Sequence, residues 1–285
     1  MHMQSRGWLT TAVAVAGLAF TATACEPEEQ VGPAPVAAQS ITYVANDFTF
    51  EGPDTLPAGW TTIRLRNEGQ EIHHLSLMKL DAGKTLADLQ ALVASGVEAA
   101  PDWVTEIGGP NASIGPFEAT ATVYLDEGDY VAVCIIPSPD GVMHLAKGMF
   151  KAISVSGDGG GSPPVADITV DMMDFAFAQD EPYSAGNHTI KVTNSGHQPH
   201  EIVLVKLDEG KTAADFAAAF APDAPPEPPP GMPVGGVTPL SRGQTAYFQA
   251  ELTPGNYAAL CFLPDPGTGR VHIELGMMQE FTVEG

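Results

Sequence analysis

The second half of this chain repeats the first. Sliding it back by 127 residues places Ile168 on Ile41, Phe175 on Phe48, Ala185-Gly186 on Ala58-Gly59, Asn194 on Asn67, His200 on His73 and Cys261 on Cys134. The match continues through "LDAGKTLADL" against "LDEGKTAADF" and "GDYVAVC" against "GNYAALC". Beyond the cysteines the offset is 128, pairing His144 with His272 and Met149 with Met277, so one residue was gained between Cys261 and His272. A register held this long points to tandem duplication, and whatever the chain folds into must be one small unit used twice. The seam reads from composition: "SGDGGGSPP", Ser156 to Pro164, is a Gly, Ser and Pro cluster of the flexible-linker kind.

Within each unit the apolar residues alternate. "TIRLRN", "LSLMKL", "TATVYL" and "YVAVCI" in the first half are answered by "TIKVTN", "EIVLVKL" and "YFQAEL" in the second. Short period-two runs separated by Gly, Pro, Asn and Asp turns predict an antiparallel β-sandwich. One helical insert is expected per unit, in "KTLADLQALVA" and "KTAADFAAAFA", where Leu86, Leu89 and Val93 share a face. The proline-rich "APDAPPEPPPGMP" is expected as a surface loop.

A length of 285 residues suits two modest domains, and 44% hydrophobic content is ordinary for a globular core. With 35 acidic residues against 12 basic ones, there is no clustered Lys and Arg for phosphate, which excludes nucleic acid as a partner. So negative a field keeps a protein soluble and favours basic partners, and it equally fits adaptation to high salt. At the N-terminus Arg6 precedes an apolar run too short to span a bilayer comfortably, which reads as an export signal. It resembles a bacterial lipoprotein signal, with Ala22, Thr23 and Ala24 directly before Cys25, although "ATA" also fits an ordinary A-x-A cleavage site. The lipoprotein reading is preferred, since a cysteine falls where a lipidated one must and a polar tether follows. Cys134 and Cys261 then remain, one thiol per half of an exported chain, where cysteines normally pair. Such lone thiols suggest a partner other than sulfur, or deep burial, and a metal would protect them.

The residue types around the thiols agree. Each half has a histidine after an early strand, in "NEGQEIHH" and "NSGHQPHE". Each then has a cysteine, a second histidine and a methionine near its end, in "CIIPSPDGVMHLAKGMF" and "CFLPDPGTGRVHIELGMM". Singly, a buried cysteine is a small hydrophobe and a methionine fills core. Together, and twice in register, they offer two imidazoles, one thiolate and one thioether, the donor set of blue copper.

On these motifs the chain resembles the cupredoxin family of type 1 blue copper proteins, as two tandem plastocyanin- or azurin-like units. "NSGHQPH" is similar to the plastocyanin loop of Asn, Gly and Pro-His, and the run of His, three residues and Gly-Met resembles the type 1 loop of copper nitrite reductases. The resemblance implies an all-β fold of two tandem Greek-key β-sandwich (cupredoxin-like) domains, each with a short helical insertion. The expected organisation is a signal peptide at 1–24, an acidic Pro/Ala tether at 25–40, domains at 41–155 and 165–285, and a linker at 156–164. One copper per domain is implied, held by His73, Cys134, His144 and Met149 in the first and by His200, Cys261, His272 and Met277 in the second. The implied role is electron transfer, through exposed edges of His144 and His272, to a basic, cytochrome-like redox partner. The protein is expected to be periplasmic or at the cell surface, touching membrane only through lipid on Cys25.

Nine or ten residues separate cysteine from histidine, more than in the small carriers of the family, and Pro137 and Pro264 are expected to stiffen that loop and keep amide donors off the sulfur. His74 faces Glu201 in the alignment, and His188 and His197 have no histidine counterparts, so none of these joins the ligand sets. Val133 and Leu260 precede the cysteines where copper oxidases and nitrite reductases carry a histidine, and no His-x-His occurs. The expectation is therefore an electron carrier and not an enzyme, without type 2 or trinuclear copper. Two other roles stay open on the residues: a copper carrier or buffer without redox role, and a metal-free structural or interaction module on the same fold. Glu201, beside His200, leads to the further expectation that the second site has the lower reduction potential.

Overall fold

The computed structural model describes residues 37–96, 100–112, 114, 118–221 and 227–285. The signal, Cys25 and most of the tether lie outside them, as do residues 222–226 of the proline-rich stretch. The alternating runs form strands. The first half reads β1 (Gln39–Asn46), β2 (Thr49–Glu51), β3 (Thr55–Asn67), β4 (Ser76–Leu80), α1 (Leu86–Ala94), β5 (Val104–Gly108), β6 (Glu118–Leu125), β7 (Gly128–Val133) and β8 (Phe150–Asp158). The second answers with β9 (Ile168–Met173), β10 (Ala176–Gln179), β11 (Gly186–Asn194), β12 (His200–Leu207), α2 (Ala213–Ala218), β13 (Gly231–Leu240), β14 (Thr245–Leu252), β15 (Gly255–Leu260) and β16 (Met278–Val283). The chain is thus all-β, a two-layer sandwich with one short helix in each half. Each helix begins on a capping box, Thr85 with Asp88 and Thr212 with Asp215, which satisfies two otherwise orphaned amides.

Two layers run through both halves. One joins β2, β1, β3 and β6 to β14, β11, β9 and β10; the other joins β8, β7, β4 and β5 to β13, β12, β15 and β16. Pairing is not wholly antiparallel: β1 lies parallel to β3, β9 to β11, and the start of β3 to β8. Between the layers lies a core that includes Tyr43, Ile63, Leu65, Val192, Phe248 and Tyr257. Smaller clusters lie under the helices, around Leu89 and Phe216.

The seam between the halves is a strand pairing in each layer. In one, β6 runs antiparallel to β14 with Ala121 opposite Phe248, its own counterpart at offset 127. In the other, Pro110 pairs with Val237, again its counterpart, and Leu240 with Ile107. Trp60 lies edge-on to Tyr247 across the seam at 5.5 Å. The Glu106 amide donates to Ser241 Oγ at 2.9 Å and the Ser241 amide to the Glu106 carbonyl at 2.8 Å.

Two boundaries differ from the sequence reading. β8 continues through Asp158 because Ala58 of β3 pairs with it, which takes the first residues of the expected linker into the sheet. The last residues of the proline-rich stretch, Gly231-Met232-Pro233, begin β13 rather than a loop, paired to β12.

Candidate metal centres

Each cluster is assembled from three parts of a half. The first histidine stands at the crossing from one layer to the other: His73 lies between β3 and β4, and His200 is the first residue of β12. Asn194, fully buried, shapes that crossing: its Nδ2 donates to the carbonyls of Gln198 (2.9 Å) and Leu240 (2.7 Å), and its Oδ1 accepts the Gly196 amide at 2.9 Å. Asn67 does likewise with Glu71 and Gly69. The glycines are required by space, since a Cβ on Gly196 would stand 2.6 Å from both Asp174 Oδ1 and His200 Nε2.

The cysteine directly follows β7 or β15, and the loop after it returns the other residues. Pro137 pairs with Met143, so the long segment doubles back on itself. The His144 amide then reaches the Ile136 carbonyl (2.9 Å), Leu145 N reaches Cys134 O (2.7 Å) and Met149 N reaches His144 O (2.9 Å). The second half repeats this with Pro264 paired to Val271, and the added residue is absorbed in the turn between Asp265 and Arg270, whose ends are bonded at 2.8 Å. Spacing in the sequence therefore exceeds spacing in the fold.

The result is the same cluster twice. His73 Nδ1 and His144 Nδ1 are 3.1 Å apart, and Cys134 Sγ is 3.3 Å from His144 Nδ1; in the second half His200, His272 and Cys261 give 3.1 and 3.3 Å. All six side chains are buried, and the donor atoms of each trio lie within 4.8 Å of one another. Met149 and Met277 are fully buried, each with its carbonyl bonded to the cysteine amide.

The opposite ring nitrogens are held from outside. Asp47 Oδ1 accepts from His73 Nε2 and Asp174 Oδ1 from His200 Nε2, both at 3.0 Å; Glu71 Oε2 accepts from His144 Nε2 at 2.8 Å, and Gln198 Oε1 from His272 Nε2 at 3.1 Å. With Nε2 donating, every Nδ1 lone pair turns inward, where only one thiol proton lies between two imidazoles and a sulfur. Such crowding of buried lone pairs is relieved by a cation.

Electrostatics agree. Burial pushes the Cys134 thiol up to about 12 and raises Cys261 as well, while burial lowers His73 and His200 and takes His272 down to about 4, aided by His200. Burial thus favours neutral imidazoles at His73, His200 and His272. Desolvation opposes the Asp47 carboxylate, but the Gln70 and Glu71 amides and His73 hold its pKa below the ordinary value.

Asp47 and Asp174 escaped the sequence reading, as did their neighbours' role. Each belongs to a two-residue turn, Asp47-Phe48 between β1 and β2 and Asp174-Phe175 between β9 and β10. The aspartate holds the first histidine, while the phenylalanine lies edge-on to the second, Phe48 to His144 at 5.3 Å and Phe175 to His272 at 5.2 Å. Both phenylalanines have left-handed backbones, φ 68° and 63°, a conformation that bulky residues adopt only when their surroundings impose it. The recurrence of Asp-Phe at offset 127 was the available signal.

Three expectations are corrected. His144 and His272 have no exposed edge, because Glu71 with Phe48, and Gln198 with Phe175, cover them. The prolines do not leave the sulfurs without amide donors: Cys134 accepts from His74 and Ile136, and Cys261 from Glu201 and Leu263, with Glu201 N at 3.5 Å. Third, the expectation that the chain is not an enzyme conflicts with the oxidases among the solved structures it is similar to. His197, exposed, bonds to Asp174 and so reaches the second cluster only through that carboxylate, while His188 bonds to the Ser184 carbonyl.

No family model and no curated protein matches the chain. Among solved structures it is similar to auracyanin B, at 23% identity over 44% of this chain and 94% of that one with a TM-score of 0.29. It is also similar to auracyanin A, a "blue" copper protein from the green thermophilic photosynthetic bacterium Chloroflexus aurantiacus, at 18% identity over 42% and 100% with a TM-score of 0.30. A blue copper oxidase from Nitrosomonas europaea aligns along 87% of this chain and 86% of its own, at 11% identity and a TM-score of 0.25. Oxidases are enzymes, and this overturns the expectation that the chain is not one. The missing histidine pairs spoke only to particular ligand sets.

Proposed function

We propose that the chain is an exported copper protein with two mononuclear type 1 centres, one in each half, acting in electron transfer. The reading is carried by one observation: two buried clusters, alike in geometry, in which two Nδ1 atoms and a cysteine sulfur converge while the outer ring nitrogens are held. His73, Cys134 and His144, with Met149 as the weak fourth donor, would hold the first copper; His200, Cys261, His272 and Met277 the second. A thioether is a poor fourth ligand for zinc, which takes four firm N, S or O donors in structural sites. Soft sulfur with imidazole suits a copper that changes between its two common oxidation states.

The chain's residues contribute orientation and exclusion of water. Asp47, Glu71, Asp174 and Gln198 fix the imidazole tautomers, and the backbone ladder from cysteine to methionine fixes the sulfur and the second histidine. A site preset in this way moves little when its charge changes. Phe48 and Phe175, half-buried over the second histidines, offer a covered approach for a partner, and the acidic chain suits a basic one such as a cytochrome. We place the protein in the periplasm or at the cell surface, anchored at Cys25; Cys25→Ser should then appear in the soluble fraction, and wild-type protein with an unmodified Cys25 would refute the anchor.

Copper titration of the purified, reduced protein is expected to end at two equivalents with an intense visible charge-transfer band. Cys134→Ala and Cys261→Ala should each lose one equivalent and keep the other. A protein that takes up no copper would overturn this function and leave the fold standing. Reversible one-electron reduction of the loaded protein separates a carrier of electrons from a buffer of metal.

A further inference from the structure

We propose that His74, Asn111 and Glu201 form a hydrogen-bonded bridge that carries an electron between the two copper centres; this rests on the two-centre reading above. His74 follows the ligand His73, and its counterpart Glu201 follows the ligand His200. The two side chains meet across the seam through Asn111. Ile135 N donates to His74 Nε2 at 3.0 Å, which leaves the His74 Nδ1 proton to face Asn111 Oδ1 at 3.3 Å. Asn111 Nδ2 donates to Glu201 Oε2 at 3.0 Å, and Glu201 Oε1 accepts the amide of Phe262, next to Cys261, at 3.1 Å.

Three features single out this path. Its ends are covalently joined to a ligand in each half. The His74 and Glu201 amides also lie on the sulfurs of Cys134 and Cys261. Finally, the three side chains are 2%, 2% and 5% exposed, and burying polar groups in a seam that apolar residues could fill is costly unless each is satisfied. Here the link exists because counterparts differ: a histidine supplies the proton, a carboxylate accepts one, and Asn111, beside the Pro110–Val237 pair, turns donor to acceptor between them. Only two hydrogen bonds then separate the covalent segments that carry the two ligand sets. The transfer balances in itself, one centre passing from copper(I) to copper(II) as the other does the reverse, with no proton released and no outside oxidant consumed.

A shared physical path is shown by coupling, not by adjacency. In the fully copper-loaded protein, a sub-stoichiometric flash of a small one-electron reductant, followed by the relaxation of the two visible bands, reads the exchange rate. Asn111→Leu keeps the volume and removes both bonds; it should slow exchange at least tenfold with each band's position and intensity unchanged. His74→Phe removes the same link by another route, should one variant fail to fold. In the metal-free chain the bridge is visible by itself as a slowly exchanging His74 ring N–H resonance that Asn111→Leu abolishes. Two coppers with an unchanged exchange rate in a folded variant would overturn the bridge alone, whereas no copper uptake would overturn the function and the bridge together.

Discussion

Glu106→Gln is expected to stabilise the metal-free chain at pH 8 and to change it far less at pH 5. Glu106 lies in the β5–β13 seam, 5% exposed, with its Oε2 lacking a hydrogen-bond partner among the described residues. Burial, then the neighbouring Glu201 carboxyl, raises its pKa from an ordinary 4.5 to about 7. A carboxyl raised on folding favours the folded state fully below pH 4.5, and that contribution is lost as pH climbs to 7, because the unfolded chain ionises freely and the folded one does not. A glutamine has no proton to lose. At ~1.4 kcal/mol per unit the variant should gain about 2 kcal/mol on the wild type between pH 5 and 8, roughly 5 °C in melting temperature. Glu201, itself raised to about 7 by burial, repels the Glu106 carboxylate, and that repulsion is already part of the Glu106 shift. Thermal unfolding of both proteins at the two pH values decides; a difference that does not vary with pH would show that Glu106 is already paired in a way that leaves it charged.

The second large effect concerns reduction potentials. Glu71 and Gln198 are counterparts, and they hold His144 and His272 through the same ring nitrogen, one as a carboxylate and one as an amide. A carboxylate draws the Nε2 proton toward itself and makes Nδ1 a stronger donor, which favours the higher charge of copper(II). Glu71→Gln should raise the potential of the first site, and Gln198→Glu should lower that of the second. Glu71 is partly exposed, so screening limits the change to about tenfold in relative stability of the two oxidation states, ~59 mV for one electron. The outer carboxylate argues for the order opposite to the one expected from Glu201. Its carboxyl is turned to Asn111 and the Phe262 amide, whereas Glu71 sits on a ligand ring. Redox titration of the single-cysteine variants with and without each exchange reads this directly; potentials unmoved by either would remove the outer carboxylate as a cause.

How far the sequence carried depended on distance along the chain. Strands came from alternation, and α1 from Leu86, Leu89 and Val93, of which Leu89 is buried while the others pack partly against it. The converging residues came from their register in the duplication. What holds them did not, because Asp47 lies 26 residues before His73 and only the β1–β3 pairing brings it there. Burial of His144 and His272 was invisible for the same reason, since Phe48 and Glu71, with their counterparts, arrive from remote turns. The strand "TATVYL" shows its own period but not its partner, so the seam was illegible. His74 and Glu201 looked like drift at one aligned position, and only folding shows that each is the other's partner.

At the seam, Ala121 pairs with Phe248 and Pro110 with Val237, each with its own equivalent. That is the arrangement a half-turn rotation produces, the isologous contact of a homodimer, here drawn within a single polypeptide. Two consequences attach to the covalent join. A dimer must find its partner from solution, whereas a short connection holds the halves at an effective concentration of roughly millimolar whatever the dilution. In a true dimer, moreover, every substitution strikes both sides of the axis, so histidine could only meet histidine and carboxylate only carboxylate. One chain escapes that constraint, and unlike residues such as His74 and Glu201 become available at positions that symmetry would otherwise force to be the same.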